Sequence, residues 1–188
     1  MSKSNLDLVK DFHERANQPV NLSPTVPDSK AIYFRQQFLL EETLEGFAAL
    51  LGKDSTAYQL IEEHFQRVLA IFKKAAVNDK LNYDPVEFLD SLADIQYVIL
   101  GTSLYYGFPL QEAFEEVHKT NLSRFPRNQL QLEATLMKAE NEGVAVTYHR
   151  LPNEEGFAVI RSDNGKLYKN AHYTPPDLAP LATPTHSG

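Results

Sequence analysis

The chain has 188 residues, 43% of them apolar, and a formal net charge of −7 from 18 Lys+Arg against 25 Asp+Glu; it contains no cysteine and no tryptophan. That make-up fits an ordinary globular protein with one principal core, excludes disulfides, thiolate metal sites and cysteine nucleophiles, and is compatible with a reducing compartment. The acidic balance repels phosphate backbones, no run of roughly eighteen apolar residues offers a membrane span, and Met1 to Asn5 lead into no apolar signal core; a cytoplasmic protein without a nucleic-acid polymer or membrane as partner is expected.

Proline positions separate the stretches that can be helical from those that cannot. Leu6, Val9, Phe12 and His13 at helical spacing predict a short helix over residues 6–16. Prolines 19, 24 and 27 mark a loop, after which Asp28 or Ser29 can cap a second helix that runs to Leu51 and stops at Gly52. A third, over residues 55–76, carries Leu60, Ile61, Phe65, Val68, Leu69 and Phe72 at intervals of three and four. Asp84-Pro85 opens a fourth, which ends at Gly107, and Pro109 opens a fifth over residues 110–121. A helix over residues 128–141 then gives way to apolar segments at 144–149, 157–161 and 166–168, the last two separated by the turn Asp163-Asn164-Gly165. These predict a small antiparallel meander. Pro175, Pro176, Pro180 and Pro184 imply an extended tail. The fold class is therefore mainly α: a helical core over residues 1–125, a helix-plus-meander appendix over 126–170, and a proline-rich tail over 171–188.

The placement of the acids is the informative feature. A step of about 100° per residue puts Glu41, Glu42 and Glu45 on the side of the second helix that also carries Phe34, Phe38 and Ala49. The fourth helix is apolar nearly all round and should be buried on most sides, yet Asp90 and Asp94 stand in it one turn apart. Taken alone, the glutamates are better accounted for by a solvated helix face. Two aspartates in an apolar helix are harder to explain, because helix propensity and desolvation both oppose them. Carboxylates gathered from two adjacent helices need a compensating charge. A set of oxygen donors favours magnesium, with manganese as the alternative, over zinc. Magnesium takes phosphate oxygens as further ligands, so such a site points to phosphate chemistry.

The strings Glu41-Glu42-Thr43-Leu44-Glu45 and Asp90-Ser91-Leu92-Ala93-Asp94-Ile95-Gln96-Tyr97-Val98 resemble the MazG-like all-α nucleoside triphosphate pyrophosphohydrolases, in particular the phosphoribosyl-ATP pyrophosphohydrolase branch. The segments Val9 to His13, Pro24 to Asp28, Glu116 to Phe125, Gly165-Lys166 and Tyr173 to Leu178 resemble that branch as well. The resemblance implies a four-helix core, a homodimer or dimer of dimers, and a Mg²⁺ site. It also implies cleavage of a nucleotide between its α- and β-phosphates to a monophosphate and pyrophosphate, a reaction suited to clearing unwanted nucleotides. Carried over residue by residue, it makes Glu42, Glu45 and Asp94 metal ligands, and Glu41 a further ligand or the base that accepts a proton from water. Asp90 becomes a ligand in place of the family's glutamate, whose position holds Ser91 here. Lys119, Asn121 and Arg124 fall in the segment that meets phosphate or sugar.

Lys119 and Arg124 would also stabilise the end of their helix wherever they pointed. Arg35, one or two turns before Glu41 and Glu42, can pair with an acid or reach a phosphate. Glu115-Glu116-Val117-His118 contains the Glu-x-x-His of di-iron bundles, but no second such element accompanies it, and His118 is read as structural. Phe34, Phe38, Tyr97 and Tyr105 can stack on a base or simply fill the core. The Ser91 departure keeps a second function open: a helical dimeric nucleotide-binding or regulatory protein with weak turnover.

Overall fold

Local signals decide where the helices begin. The computed structural model describes residues 3–78, 80–152 and 156–183. Ser4 opens α1 (Asn5–Arg15) with a capping box: its hydroxyl accepts from the Asp7 amide, and the Asp7 carboxylate accepts from the Ser4 amide. Asp28 caps α2 (Ser29–Leu51) by accepting from the Ala31 amide at 2.7 Å, and Gly52, at φ +79°, closes it in a conformation a side chain would strain. Ser55 caps α3 (Thr56–Val77). Asp84 accepts from the amides of Val86 and Glu87 at the start of α4 (Pro85–Tyr106), where Pro85 needs no donor. α5 (Leu110–Leu122) follows Pro109, and Asn128 caps α6 (Gln129–Asn141).

The predicted three-strand meander is instead a two-stranded hairpin. β1 (Val146–Arg150) pairs antiparallel with β2 (Phe157–Arg161) in the register Tyr148↔Val159, and Leu167 adds a single bridge to Ile160. On either side of that bridge Arg161 donates its amide to the Lys166 carbonyl and Tyr168 donates its amide to the Val159 carbonyl, and Asn170, two residues on, accepts from Thr135 of α6. The tail is not extended throughout either. Asp177 accepts from the Ala179 amide, and Pro180 sits in the first turn of a short helix, α7 (Ala179–Ala182). Pro184 lies outside the described residues.

The chain divides into two compact units, one formed by the chain up to Leu22 together with the chain from Ile95, the other by Ser23–Asp94. The division runs through α4. The first unit holds the dense cores. Leu132 and Ala139 of α6 pack on Phe157 and Val159 of β2 and on Tyr168; Ala16 and Phe125 pack with Leu151 and Ala158. In the second unit α2 lies on α3 through aromatic contacts, Tyr33 with Phe72 and Phe47 with Phe65, and the buried α2 alanine is Ala48, not Ala49.

The expectation that α4 is buried on most sides fails in the single chain. None of its residues is buried, and Leu89, Tyr97, Leu104 and Tyr105 are 68%, 79%, 81% and 87% exposed. The apolar pattern is real, but among the described residues no surface covers it.

Candidate functional site

The α2 carboxylates do not share one environment. Glu41 is half-buried and accepts from Gln37 Nε2 at 2.7 Å, one turn earlier on the same helix. Both line a cavity of about 280 Å³ between α2 and α3, with Tyr33, Gln66 and Lys73 as its other polar or charged groups and Phe65 among its apolar ones. Glu42 and Glu45 are exposed. Glu45 nevertheless acts on α3: buried Tyr58 donates its hydroxyl to Glu62 Oε1 at 3.3 Å. Burial first, then the charge of Glu62 and its hydrogen bond, and finally the charge of Glu45 push the Tyr58 phenol above its ordinary range. The sequence reading did not single out Glu62. Its pairing with Tyr58 four residues earlier is a local helical signal, but its relation to Glu45 arises only once α2 lies on α3.

On α4, Asp90 and Asp94 are both exposed. Ser91, at the position where the resemblance expects a carboxylate, donates its hydroxyl to the Glu87 carbonyl at 2.9 Å and so turns back onto its own helix. Among the described residues, no three His, Asp or Glu side chains stand together as a metal-holding group. The structure of one chain therefore leaves Glu42, Glu45, Asp90 and Asp94 ungathered. Their chemistry still fits a hard divalent cation, because all four are oxygen donors and, among the described residues, none forms an ion pair with a basic side chain.

The expected substrate contacts are equally distinct from one another. Arg35 is exposed on α2. Lys119 pairs with Glu116 at 2.9 Å and is 77% exposed, an arrangement worth little to stability in water. Asn121 lines a mainly apolar cavity of about 200 Å³ between α1 and α5, together with His13 and His118. Burial holds the His118 imidazole below its ordinary range, a lowering that the Asp11 charge opposes and the charges of Lys3 and Arg15 reinforce. This environment agrees with a structural histidine. Arg124, just past the end of α5, lies over the Tyr173 ring with its guanidinium carbon 5.5 Å from the centroid. Of the aromatics, Phe34 and Phe38 stack on each other at 6.4 Å along α2, whereas Tyr97 and Tyr105 are exposed and fill no core in this chain.

Comparison with known proteins adds to this geometry. Residues 9–121 match the phosphoribosyl-ATP pyrophosphohydrolase family, a stretch that begins within α1, takes in α2 to α4 and includes nearly all of α5. A solved structure from Exiguobacterium sp. 255-15, of a protein provisionally named an NTP pyrophosphohydrolase, superposes with a TM-score of 0.58 at 19% identity. The match covers 94% of this chain and 90% of that one. At that identity the likeness is one of fold, and it extends through the hairpin as well as the helices. No curated protein matches the chain. Among the described residues no helix is long and apolar enough to cross a membrane.

Proposed function

The chain belongs to the phosphoribosyl-ATP pyrophosphohydrolase family, and with that family as premise we propose that it hydrolyses a nucleoside triphosphate or related nucleotide between the α- and β-phosphates. The products are a nucleoside monophosphate and pyrophosphate, the metal is Mg²⁺ with Mn²⁺ able to replace it, and the setting is cytoplasmic nucleotide housecleaning. The observation that supports this most is that Glu42 and Glu45 on α2 and Asp90 and Asp94 on α4 form no ion pair with a basic side chain among the described residues.

Glu42, Glu45, Asp90 and Asp94 would hold the metal, which when bound polarises phosphate oxygens and acidifies a coordinated water. Glu41 is the residue suited to take the proton. It is half-buried, and the Gln37 amide fixes one of its oxygens. Arg35, Lys119, Asn121 and Arg124 are assigned to the phosphate or sugar of the nucleotide. The charges of Arg35, Lys119 and Arg124 supply a local attraction for a triphosphate that the protein's overall charge of −7 repels.

The exposed apolar length of α4 is assigned to a second copy of the chain, in a homodimer or a dimer of dimers. A contiguous apolar surface of this kind marks an interface, and Leu89, Tyr97, Val98, Leu104 and Tyr105 supply the anchors. The competing reading, a nucleotide-binding dimer with weak turnover, draws on Ser91, whose hydroxyl is committed to its own helix. Phosphorus NMR of the products from a panel of common and modified nucleotides with Mg²⁺ separates the two. Monophosphate and pyrophosphate together are expected; orthophosphate with a diphosphate, or binding without turnover of any nucleotide, would contradict the proposal.

A further inference from the structure

The tail segment after the hairpin is fastened by a buried polar network that leads to a cluster of positive charge. Asn170 is buried and accepts from Thr135 Oγ1 at 3.2 Å, while its amide nitrogen donates to the Ser123 carbonyl at the end of α5 at 3.3 Å. The amides of Ala171 and His172 donate to Thr135 Oγ1 and Asn170 Oδ1, and the Tyr173 amide donates to the Asn170 carbonyl. Thr135 is fully buried, so these bonds form away from water, where leaving one unmade is costly. The network sets residues 169–173 beside the Arg124 turn.

Two cations then meet at one ring. Arg124 lies 5.5 Å and Lys169 Nζ 4.9 Å from the centroid of half-buried Tyr173. Among the described residues neither forms an ion pair with a carboxylate, in a chain that carries 25 Asp+Glu. Arg124 Nε is closed off from solvent and has no hydrogen-bond partner among the described residues. An aromatic face attracts each cation, but it does not remove the repulsion between them. An oxyanion would. A guanidinium fork and an ammonium held at the same ring can both donate to the oxygens of a phosphate.

We propose that Arg124, Lys169 and Tyr173 form a phosphate-binding site, with the tail segment supplying two of its three side chains. The choice of phosphate as ligand class rests on the pyrophosphohydrolase reading; the cation cluster does not. The probe is inorganic pyrophosphate, titrated calorimetrically into the full chain without metal. Arg124→Met and Lys169→Met should each weaken binding about tenfold or more, the loss of a charge-assisted contact, with unchanged melting temperature. Tyr173→Phe, which keeps the ring, should bind as the wild type does. Wild-type affinity in both Met variants, or no binding by the parent chain, would overturn the proposal.

Steady-state kinetics with the nucleotide identify the source of the phosphate. A raised KM in Lys169→Met with little change in kcat marks the substrate's own phosphate. An unchanged KM with weakened inhibition by pyrophosphate marks the free anion. If Lys169→Met alters neither, the proposal fails on this arm as well. Turnover by the parent chain provides the separation from the hydrolytic reading: pyrophosphate binding without turnover of any nucleotide would sink that reading and leave this site standing.

Discussion

The α6–β2 region and the α2–α4 region are both rich in apolar residues, yet only the first encloses them. Around α6, Leu132 and Val159 are almost wholly buried, and the polar groups that go inside with them are hydrogen-bonded: the Thr135 hydroxyl lies between the Gln131 carbonyl and Asn170 Oδ1, and the Asn170 amide donates to the Ser123 carbonyl. Along α4 an equally apolar sequence stays open, with Leu104 and Tyr105 more than four-fifths exposed. One region is finished by its own chain. The other carries the candidate metal carboxylates and, in the proposed account, is finished by a second copy. Apolar content by itself therefore does not locate a core; what matters is whether the chain supplies the opposing face.

This contrast can be broken by mutation. Leu132→Ala should produce the largest loss of fold stability, about 2–5 kcal/mol, since it empties a closed site; urea unfolding measures it, and a loss below about 1 kcal/mol would show that the core is less closed than described. Leu104→Ser on α4 should leave the hairpin unit folded and instead lower the assembly mass measured by light scattering. An unchanged mass would remove α4 from the interface. Thr135→Val strips the hydroxyl from the tail network while keeping its volume, and should cost about 1–3 kcal/mol because Asn170 Oδ1 and the Ala171 amide lose a buried partner.

The smallest effects concern pH. The folded state keeps the His118 proton affinity below that of the unfolded chain, so unfolding takes up a proton on acidification. Stability should be intact above the ordinary histidine range and decline as pH falls through it, and His118→Gln should flatten that decline. At the other extreme, burial and the hydrogen bond to Glu142 push the Tyr168 phenol up to about 12. The folded state then holds a proton that the unfolded chain has released, so stability should fall as pH rises above the ordinary tyrosine range. Tyr168→Phe should remove this component, and an unaltered alkaline slope would contradict the assignment.

Helix boundaries were legible in the sequence because caps act within three or four residues. Ser4, Asp28, Ser55, Asp84 and Asn128 stand where their hydrogen bonds are made. The periodicity that announced α4 as apolar all round was equally visible, but periodicity does not say which molecule covers the helix. The third meander segment read as a strand because Leu167 and Tyr168 have suitable side chains. It makes one bridge to β2, and Asn170 just beyond it bonds to Thr135 of α6, a contact between residues far apart in sequence. At the candidate site, the identity of the acids on α2 and α4 came from residue type and spacing. The charge of Glu45 acting on Tyr58, and the meeting of Arg124 with Tyr173, depend on tertiary packing and left no local trace.

The most direct test of the central claim, that the α2 and α4 carboxylates carry the hydrolysis, is the rate of pyrophosphate release with Mg²⁺ from the best nucleotide, compared among wild type, Glu42→Ala and Asp94→Asn at matched helical content. The account expects each variant to lose about a hundredfold or more while retaining its fold. Wild-type rates in both would contradict it.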